Sequence, residues 1–541
     1  MSVDQQTGEW QLEDRDLVGG WRQDMSFSDL RYTAFRNVHV FRRKAVTKRK
    51  GYTVLNSAAI TGGPDMLGGL DAHFADATQT VIAVGGTDAY NFVNSTLSFT
   101  AQSLTLQAGQ EADMLMFSDY AILANGYQFK KMDCTGTWSD VGGSPGLAKF
   151  LAVHNNRLIS AGMSKKPHLF EFSAVRDPDT RDNVNDYVLV TTPLGEVCTG
   201  IGSFGDDLIY FTRHNTILQW QNPSNKGDWD RLDISNQIGN ISAKSYTEIS
   251  HLPFPLAVFW SEEGPYVIYR LGEGKPILRS LWEFVQDAMK GESPNPNAPG
   301  FKEERFGSIV ASYQPKIQEI RFGLSLVGAS DNNACLCIDL QSLLAFIGGN
   351  KEAPDYSLKD NGQTSIYPCD QLMPIRTDSS TLLPSANGVD HLYGMRDGFL
   401  YRLDEGFTDD GESIYYYTRK SGYSGAEEGI GELEKVVTQV RVSGTQDSDY
   451  AMQVQVAADG NQAVGSGEFD LDANLGKWKD GGVWTTDPNV GTWNGAVVAS
   501  SRADVGVRGK VFEVSMHDQG ALSGKFEMDR IVLEGQLYER Q

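Results

Sequence analysis

The chain contains residue types that could carry chemistry, but their spacing matches no recognised catalytic or metal-binding motif. The eight histidines include no pair at metal-ligand spacing. The phosphate-binding glycine loop and the motifs of zinc proteases and serine hydrolases are missing from the sequence. We therefore predict that the protein is not an enzyme and has no cofactor or bound metal.

Some residues leave alternatives open at this point. The acidic turns Asp177–Asp182 and Asp404–Glu412 could hold calcium, but acidic turns without a metal have the same composition. His154 and His214 fall at strand or turn edges, where a structural role is the simpler interpretation. A glycosidase would need two carboxylates close together in its active site, and sequence alone does not show which carboxylates pair.

The one basic cluster lies near the N-terminus of an otherwise acidic chain. Such a local reversal of charge suggests a contact with DNA phosphates or with an acidic neighbouring subunit. The alternative is a solvated edge strand in which lysines discourage aggregation. The candidate contact residues are Arg36, Arg42, Arg43, Lys44, Lys48, Arg49 and Lys50.

Composition narrows the class of protein. The 541 residues are 40% hydrophobic, enough for a large core, and carry a net charge of -23. An acidic chain disfavours sequence-specific binding to nucleic acid, yet suits a channel wall to which DNA must not stick. The five cysteines lack zinc-ligand spacing, and there is neither a long apolar run nor a signal-peptide pattern. We expect buried thiols, assembly in a cytosol and no membrane segment.

The elements that must position these residues are β-hairpins. Two apolar runs flank the polar turn Arg213–Asn215, and the same pattern recurs over 257–270 and 391–402. Asn125-Gly126 and Asp397-Gly398 are strong hairpin turns. About seven such units at uneven spacing predict an all-β fold, a propeller of about six or seven irregular blades, because a single hairpin unit cannot bury its own apolar face.

Changes in pattern divide the chain into three regions. Residues 1–51 read as an N-terminal arm that contains the basic cluster, and 52–405 as the propeller with loop insertions. Alternating strands after Gly406 predict a C-terminal β-sandwich over 406–541. Within the propeller, 281–289 has helical spacing, 290–302 is rich in breakers, and 349–388 is predicted as a long loop.

Several short phrases, in a constant order over about 30–420, resemble the tail nozzle or tail-hub (packaged-DNA stabilisation) proteins of tailed bacteriophages. The first pair is Phe35-Arg-Asn-Val-His-Val and Lys48-Arg-Lys-Gly-Tyr, where Lys50 replaces the proline usual in that family's turn. The later phrases are His154-Asn-Asn-Arg-Leu, Leu208-Ile-Tyr-Phe-Thr, Ile234-Ser-Asn-Gln-Ile-Gly, Ser261-Glu-Glu-Gly, Ala311-Ser-Tyr-Gln-Pro, Asp397-Gly-Phe-Leu-Tyr-Arg and Asp409-Asp-Gly.

The resemblance implies a structural virion protein, assembled in the host cytoplasm, that forms a homo-oligomeric ring, expected to be a hexamer. Such a ring lies below the head-to-tail adaptor and portal, contacts tail fibres or tail-tip proteins, and holds packaged DNA in its lumen without sequence specificity until ejection. The implied adaptor contact is the N-terminal region, and loops 290–302 and 349–388 would narrow the channel. The alternatives are a monomeric β-propeller binding platform and a carbohydrate-active propeller enzyme.

Overall fold

A computed structural model describes most of the chain. It covers residues 2–3, 9–14, 31–40, 46–93, 95–181, 185–221, 228–281, 300–349, 356–359, 367–375, 391–406, 408–415, 417–423, 434–446, 450–459, 463–471, 477–479, 483–485, 497–518 and 526–537.

Seven blades, each of four antiparallel strands, form a β-propeller. Five blades are separate four-stranded sheets, whereas blade 6 is part of a nine-stranded sheet and blade 7 is part of a six-stranded sheet. A strand from the N-terminal region completes blade 7. The N-terminal strands are β1 (Ser2–Val3), β2 (Glu9–Asp14), β3 (Arg31–Arg36), β4 (Val38–Val40), β5 (Val46–Lys48) and β6 (Tyr52–Val54).

Blades 1 to 3 follow in chain order. Blade 1 contains β7 (Met66–His73), β8 (Gln79–Gly85), β9 (Asp88–Val93) and β10 (Ser98–Thr105). Blade 2 contains β11 (Asp113–Phe117), β12 (Tyr120–Ala124), β13 (Phe129–Met132) and β14 (Trp138–Asp140). Blade 3 contains β15 (Phe150–His154), β16 (Arg157–Met163), β17 (Lys166–Phe172) and β18 (Tyr187–Leu189).

The remaining blades have the same order of strands from the hub outwards. Blade 4 contains β19 (Gly200–Phe204), β20 (Asp207–Phe211), β21 (Thr216–Gln221) and β22 (Trp229–Ser235). Blade 5 contains β23 (Thr247–Glu248), β24 (Leu256–Ser261), β25 (Gly264–Tyr269) and β26 (Ile277–Ser280). Blade 6 contains β27 (Val310–Gln314), β28 (Glu319–Leu324), β29 (Ala334–Asp339) and β30 (Tyr356–Lys359), and blade 7 contains β31 (Gln371–Ile375), β32 (His391–Arg396), β33 (Phe399–Leu403) and β6.

Local turn chemistry forms the blades. Asn155 and Asn156 both have positive φ, as do Asp397 and Gly398, so each pair makes the tight turn that suits the twist of a two-residue hairpin. The predicted all-β propeller is confirmed, with seven blades in the part of the chain that the structure covers.

The ring closes through a strand that is distant in sequence. The first strand of blade 7, β31, packs beside β7 of blade 1 at the hub. The outermost strand of blade 7 is β6, which pairs antiparallel with β33 through Tyr52 and Leu403. Blade 7 therefore combines residues from both ends of the propeller segment: β31 closes the ring at the hub, and β6 completes the outer edge of the blade.

Apolar faces of successive blades pack together. Trp260 of blade 5 is fully buried, and its ring lies 5.3 Å from that of Phe322 in blade 6 and 5.6 Å from that of Phe306. Burying one large side chain of this kind contributes about 2–3 kcal/mol. The 3₁₀ helix Glu303–Ser308 and the α-helix α1 (Leu340–Ile347) belong to this core, and Asp339 caps α1 by accepting from the Ser342 amide.

The C-terminal part is a β-sandwich of two antiparallel sheets. The strands after Gly406 are β34 (Thr408–Asp409), β35 (Glu412–Ser413), β36 (Tyr417–Tyr423), β37 (Lys435–Gln446), β38 (Tyr450–Ala458), β39 (Ala463–Leu471), β40 (Lys477–Lys479), β41 (Val483–Thr485), β42 (Val497–Gly509), β43 (Phe512–Asp518) and β44 (Phe526–Leu537). Of these, β34 and β35 join blade 7, β40 and β41 form a separate pair, and the others belong to the sandwich. Leu12, Val38 and Val46, from 1–51, share its core with Val440 and Val454.

Propeller and sandwich are joined by one continuous sheet. β3 pairs in parallel with β30 of blade 6 and antiparallel with β36 of the sandwich, which makes a nine-stranded sheet. The segment 1–51, predicted as an arm, thus supplies strands to both parts.

The two segments predicted as insertions in the propeller, 281–302 and 349–388, compare differently with the structure. The stretch 349–388 was predicted as a long loop, but it contains β30 and β31. Both strands have only four or five residues, which is why the polar surroundings concealed them. The helical pattern at 281–289 lies outside the described residues except for Leu281, as does 290–302 before Gly300.

Candidate functional site in the hub of the propeller

The hub is irregular at blade 5. The innermost strand of this blade has only two residues, whereas the other six have five to eight. The 3₁₀ turn Ala243–Ser245 replaces the missing part. The buried Ser245 hydroxyl holds the turn, donating to Asn240 Oδ1 (2.9 Å) and accepting from the Trp260 amide (3.0 Å). The chain thereby directs Lys244 and Tyr246 into the hub.

A cavity of about 360 Å³ lies beside this turn, and we call it the hub cavity. It is lined by the inner edges of blades 2 to 5. Its charged side chains are Glu111, Asp113, Lys149, Lys244 and Glu248. The volume falls at the lower end of the range of small-molecule sites, roughly 300–1,000 Å³.

Lys244 forms the wall of the hub cavity towards blades 1 and 7. Its ammonium group donates to the Leu67 carbonyl (2.5 Å) and to Gln371 Oε1 (3.2 Å), and Gln371 in turn donates to the Met66 carbonyl (3.0 Å). Burial lowers the pKa of Lys244, while Glu111 and Asp113 oppose that shift. This side chain therefore bridges the hub instead of facing free solvent.

Glu248 and Tyr246 are held in place by blade 4. The Glu248 carboxylate accepts from the Ser203 hydroxyl (2.9 Å) and from the Gly205 amide (2.6 Å). The Tyr246 hydroxyl donates to the Ser203 carbonyl. Its ring fills the space left by Gly202, where a Cβ would stand 2.4 Å from Tyr246 Cε1. Any larger residue at 202 would expel the ring.

Asp113, Glu111 and Lys149 are less engaged. One oxygen of the half-buried Asp113 accepts from the Leu151 amide (2.7 Å), and burial raises the pKa of this carboxyl to about 6. Within the described ranges, Glu111 has no hydrogen bond or ion pair, and the Lys149 ammonium contacts only the Phe150 ring, 5.6 Å from its centroid. The cavity thus offers both signs of charge to a guest.

The basic cluster predicted from sequence lies elsewhere, at the junction of propeller and sandwich. Lys48 and Arg49 are buried, so these two residues cannot reach an external partner, and for them the predicted contact is wrong. Lys50 is exposed and stays a candidate. Only the backbone of Arg36 is described, and Arg42, Arg43 and Lys44 lie outside the described residues.

Arg49 is instead an internal anchor. Its guanidinium donates to both carboxylate oxygens of Asp409 (2.7 and 2.5 Å) and to Asn37 Oδ1 (2.7 Å). The Asp409 carboxylate helps to raise the pKa of Arg49 against the effect of burial. The following Gly51 packs so tightly that a Cβ would lie 1.8 Å from the Thr408 carbonyl oxygen. The sequence pattern showed the positive charges but not their internal partners.

A second group of buried charges adjoins Arg49. Glu319 of blade 6 meets His39 (2.5 Å), Arg321 (2.8 Å) and Lys359 (2.5 Å), and Arg321 also contacts Asp404 (2.7 Å). Against the effect of burial, Lys359, His39 and Arg321 together hold the pKa of Glu319 well below its usual range. We call these five residues together with Arg49 and Asp409 the junction cluster.

The acidic turns carry internal ion pairs. In the first, Asp179 pairs with Lys131; in the second, Asp404 and Asp409 belong to the junction cluster. Across the ranges that the structure describes, no group of three or more His, Cys, Asp and Glu residues could hold a metal ion.

The two candidate histidines differ in their surroundings. His154 is buried beside the Trp229 ring at 5.4 Å, and burial lowers its pKa. His214 contacts Glu196 and Glu262, and its pKa is raised, chiefly by the hydrogen bond to Glu196. Both have structural partners.

Sequence reasoning missed the hub cavity entirely. Asp113, Lys149 and Lys244 belong to different blades and to no motif, so nothing local connects them. The one usable signal is the turn Ala243-Lys-Ser, a polar stretch where the other blades begin with a longer strand. No helix within the described ranges is long and apolar enough to cross a membrane.

Comparison with known proteins yields only distant likenesses. No family model and no curated protein match the chain. Among solved structures it is similar to the extracellular domain of the one-component system BT4673 from B. thetaiotaomicron, with a TM-score of 0.39, 8% identity and coverage of 81% of this chain and 48% of that chain. A second structure, titled the extracellular domain of the hybrid two-component system BT4673, gives a TM-score of 0.41 at 8% identity and the same coverage. The chain thus spans about half the length of these proteins, and their functions do not carry over.

Proposed function

We propose that this chain is a rigid interaction scaffold and, more specifically, a ring-forming subunit of a bacteriophage tail that retains packaged DNA and provides the channel for its ejection. The observation that carries the proposal is the nine-stranded sheet that runs from blade 6 through β3 into the sandwich. A chain with two modules joined by a flexible linker would be free to reorient. A shared sheet holds the modules in one orientation, as a subunit of a closed ring requires.

The resemblance to tail nozzle proteins supports the specific form of the proposal. The first two phrases that carry it meet in space at the junction. Asn37, from the first phrase, is buried with φ 56° and accepts from Arg49, from the second. Asn37 also donates to the Leu358 carbonyl of blade 6 (2.7 Å) and to the Tyr415 carbonyl (2.7 Å). The phrases thus build the rigid connection.

The net charge of -23 is consistent with a wall along a DNA path. Like charges repel, so an acidic lumen would let the phosphate backbone slide without adhering. Partners in this proposal are further copies of the chain in a hexamer, the portal and adaptor above, and tail fibres or tail-tip proteins. No enzymatic step is proposed.

The test is to measure the mass of the purified chain by light scattering and then to image it with tail-less capsids by negative stain. Capsids that already carry tails serve as the matched control. A closed ring in solution, or a ring that forms only on the vertex of tail-less capsids, is the expected result. A monomer that ignores both kinds of capsid would overturn the phage assignment.

The second candidate function is a monomeric binding platform, and the hub cavity is the observation that favours it. The hub cavity, of about 360 Å³, is large enough for a small ligand and is lined by charged groups that could contact it. A purely mechanical role would not require such a cavity. In the same light-scattering experiment, a monomer indifferent to capsids would support this candidate.

A further inference from the structure

We propose that the hub cavity binds a small zwitterion, a free amino acid, through the carboxylates of blade 2 and the ammonium group of Lys149. This inference concerns a site inside one propeller, so it does not depend on ring formation. The chain would bind such a ligand whether it acts as a tail subunit or as a monomeric platform.

The charged groups of the hub cavity are either engaged by the surrounding protein or available to a ligand. Lys244 is engaged by Leu67 and Gln371, and Glu248 is engaged by Ser203 and Gly205. These two side chains shape the walls of the cavity. In the described part of the chain, the charged groups of the lining that form no ion pair and no hydrogen bond with another side chain are the Glu111 carboxylate, the Asp113 carboxylate and the Lys149 ammonium.

The lining of the hub cavity carries charges of both signs, which restricts the charge of a ligand. A pure anion would face the carboxylates of Glu111 and Asp113, with the engaged Glu248 carboxylate in the same lining, in a partly desolvated space. A pure cation would face the ammonium groups of Lys149 and Lys244. A molecule with one ammonium and one carboxylate avoids both conflicts, because each of its ends can turn towards the opposite sign.

The apolar walls of the hub cavity restrict the size and polarity of a ligand. Phe150 and Ile201 line the cavity as nearly buried apolar walls, and Leu115 and the Tyr246 ring contribute further apolar surface. The remainder of the ligand should therefore be a compact apolar side chain. A free amino acid with an aliphatic side chain meets these requirements, whereas a neutral sugar has no charge to place beside Glu111 or Lys149.

The test is isothermal titration of the full chain at pH 7 with leucine, valine and isoleucine individually. Each is compared with its methyl ester, which retains only the ammonium, and its N-acetyl derivative, which retains only the carboxylate. We expect binding of at least one free amino acid, with both derivatives at least about tenfold weaker. Absence of heat for all three free amino acids at millimolar concentration, or equal binding of either derivative, would overturn the proposal.

Variants locate the site. Asp113→Asn keeps an acceptor for the Leu151 amide but loses the charge, and Lys149→Gln loses the ammonium; each should weaken binding at least about tenfold. Lys130→Gln is the matched control, because Lys130 pairs with Asp140 on the outer strands of blade 2, away from the cavity. Glu111→Gln provides a further readout if one variant fails to fold. Unchanged affinity in all three cavity variants, or an equal loss in the control, would contradict the assignment.

Discussion

The junction cluster and the hub cavity contain the same kinds of residues in opposite states of engagement. At the junction, Arg49 and Asp409 are wholly buried and each satisfies the other. In the hub, Asp113 is bonded by backbone amides and forms no ion pair among the described residues, and the Lys149 ammonium contacts only an aromatic ring. Charges that satisfy one another fix a structure, whereas charges left available can respond to a ligand.

The difference follows from the cost of desolvation. A buried ion pair roughly balances its own desolvation, but removing one partner leaves an uncompensated charge, which costs about 3–5 kcal/mol. A half-buried carboxylate with few partners already bears part of that cost in the native state. Stability and binding capacity are therefore opposed in these two regions.

The largest expected effect comes from breaking the junction. Arg49→Met should lower the free energy of unfolding by about 3–5 kcal/mol, because Asp409 remains buried without its counter-charge. Denaturant titration followed by tryptophan fluorescence measures the loss. The double variant Arg49→Met with Asp409→Leu should recover most of it. Lys130→Met, at a pair whose Asp140 carboxylate is exposed, should cost less than about 1 kcal/mol. An equal loss of unfolding free energy in the Lys130 variant would contradict the prediction that the buried pair at the junction contributes more to stability than a surface pair.

The second largest effect is expected from acid, which should lower the free energy of unfolding by protonating carboxylates of the junction cluster. The pKa values of Glu319 and Asp404 are both lowered in the folded chain, Glu319 chiefly by Lys359 and His39 and Asp404 chiefly by Arg321, in each case against the effect of burial. Their stabilisation is therefore complete above the unfolded values, 4.5 and 3.8, and is lost as the pH falls through the lower folded values. Unfolding free energy measured between pH 6 and pH 2 should fall steeply. Glu319→Gln should be less stable at pH 6 and show a flatter acid limb; an unchanged limb would contradict this account.

In the hub cavity, the dependence of stability on pH should have the opposite sign. Because burial raises the pKa of Asp113 from 3.8 to about 6, its ionisation lowers stability as the pH rises through that window. Asp113→Asn should therefore stabilise the chain at pH 7, by about 1 kcal/mol after allowance for partial exposure. Thermal unfolding at pH 4 and pH 7 tests this, with the gain expected at pH 7 alone. A destabilised variant at pH 7 would show that Asp113 is structural, like the junction carboxylates.

The smallest effect is expected at His214, which is partly exposed and lies between Glu196 and Glu262. Its pKa is raised above 6.5, so its stabilisation is present below that pH and is lost as the pH rises through the folded value. His214→Gln should remove a shallow decline in melting temperature above pH 6.5. His251→Gln is the control, since His251 stacks on Tyr313 away from these carboxylates. The same decline in the His214 variant would contradict the assignment.

The sequence predicts the structural features that neighbouring residues determine, such as hairpin turns. It does not predict contacts between residues that lie far apart along the chain. Asp397-Gly398 specified its own hairpin because positive φ at both positions needs no tertiary partner. The strand Tyr52–Val54 pairs with Leu403 and its neighbours about 350 residues later, and no local pattern indicates such a pairing. For the same reason, the sequence pattern predicts an external contact for Arg49, because its internal partner Asp409 is equally remote. The hub cavity depends on four blades at once, and its residues share only their position on inner edges.

The strand β6 has a consequence for biosynthesis. It is made early, yet its partner β33 is complete only after Leu403 has been added to the chain. Throughout that interval the nascent propeller is an open arc with an unpaired edge, which is a site for aggregation or chaperone binding. The pairing of β2 with β44, from Glu9 with Gln536 to Asp14 with Ile531, postpones completion further. Folding dominated by such distant pairings is slow, and a ribosome that stalls before the last strand would release a chain that cellular proteases can distinguish from the finished protein.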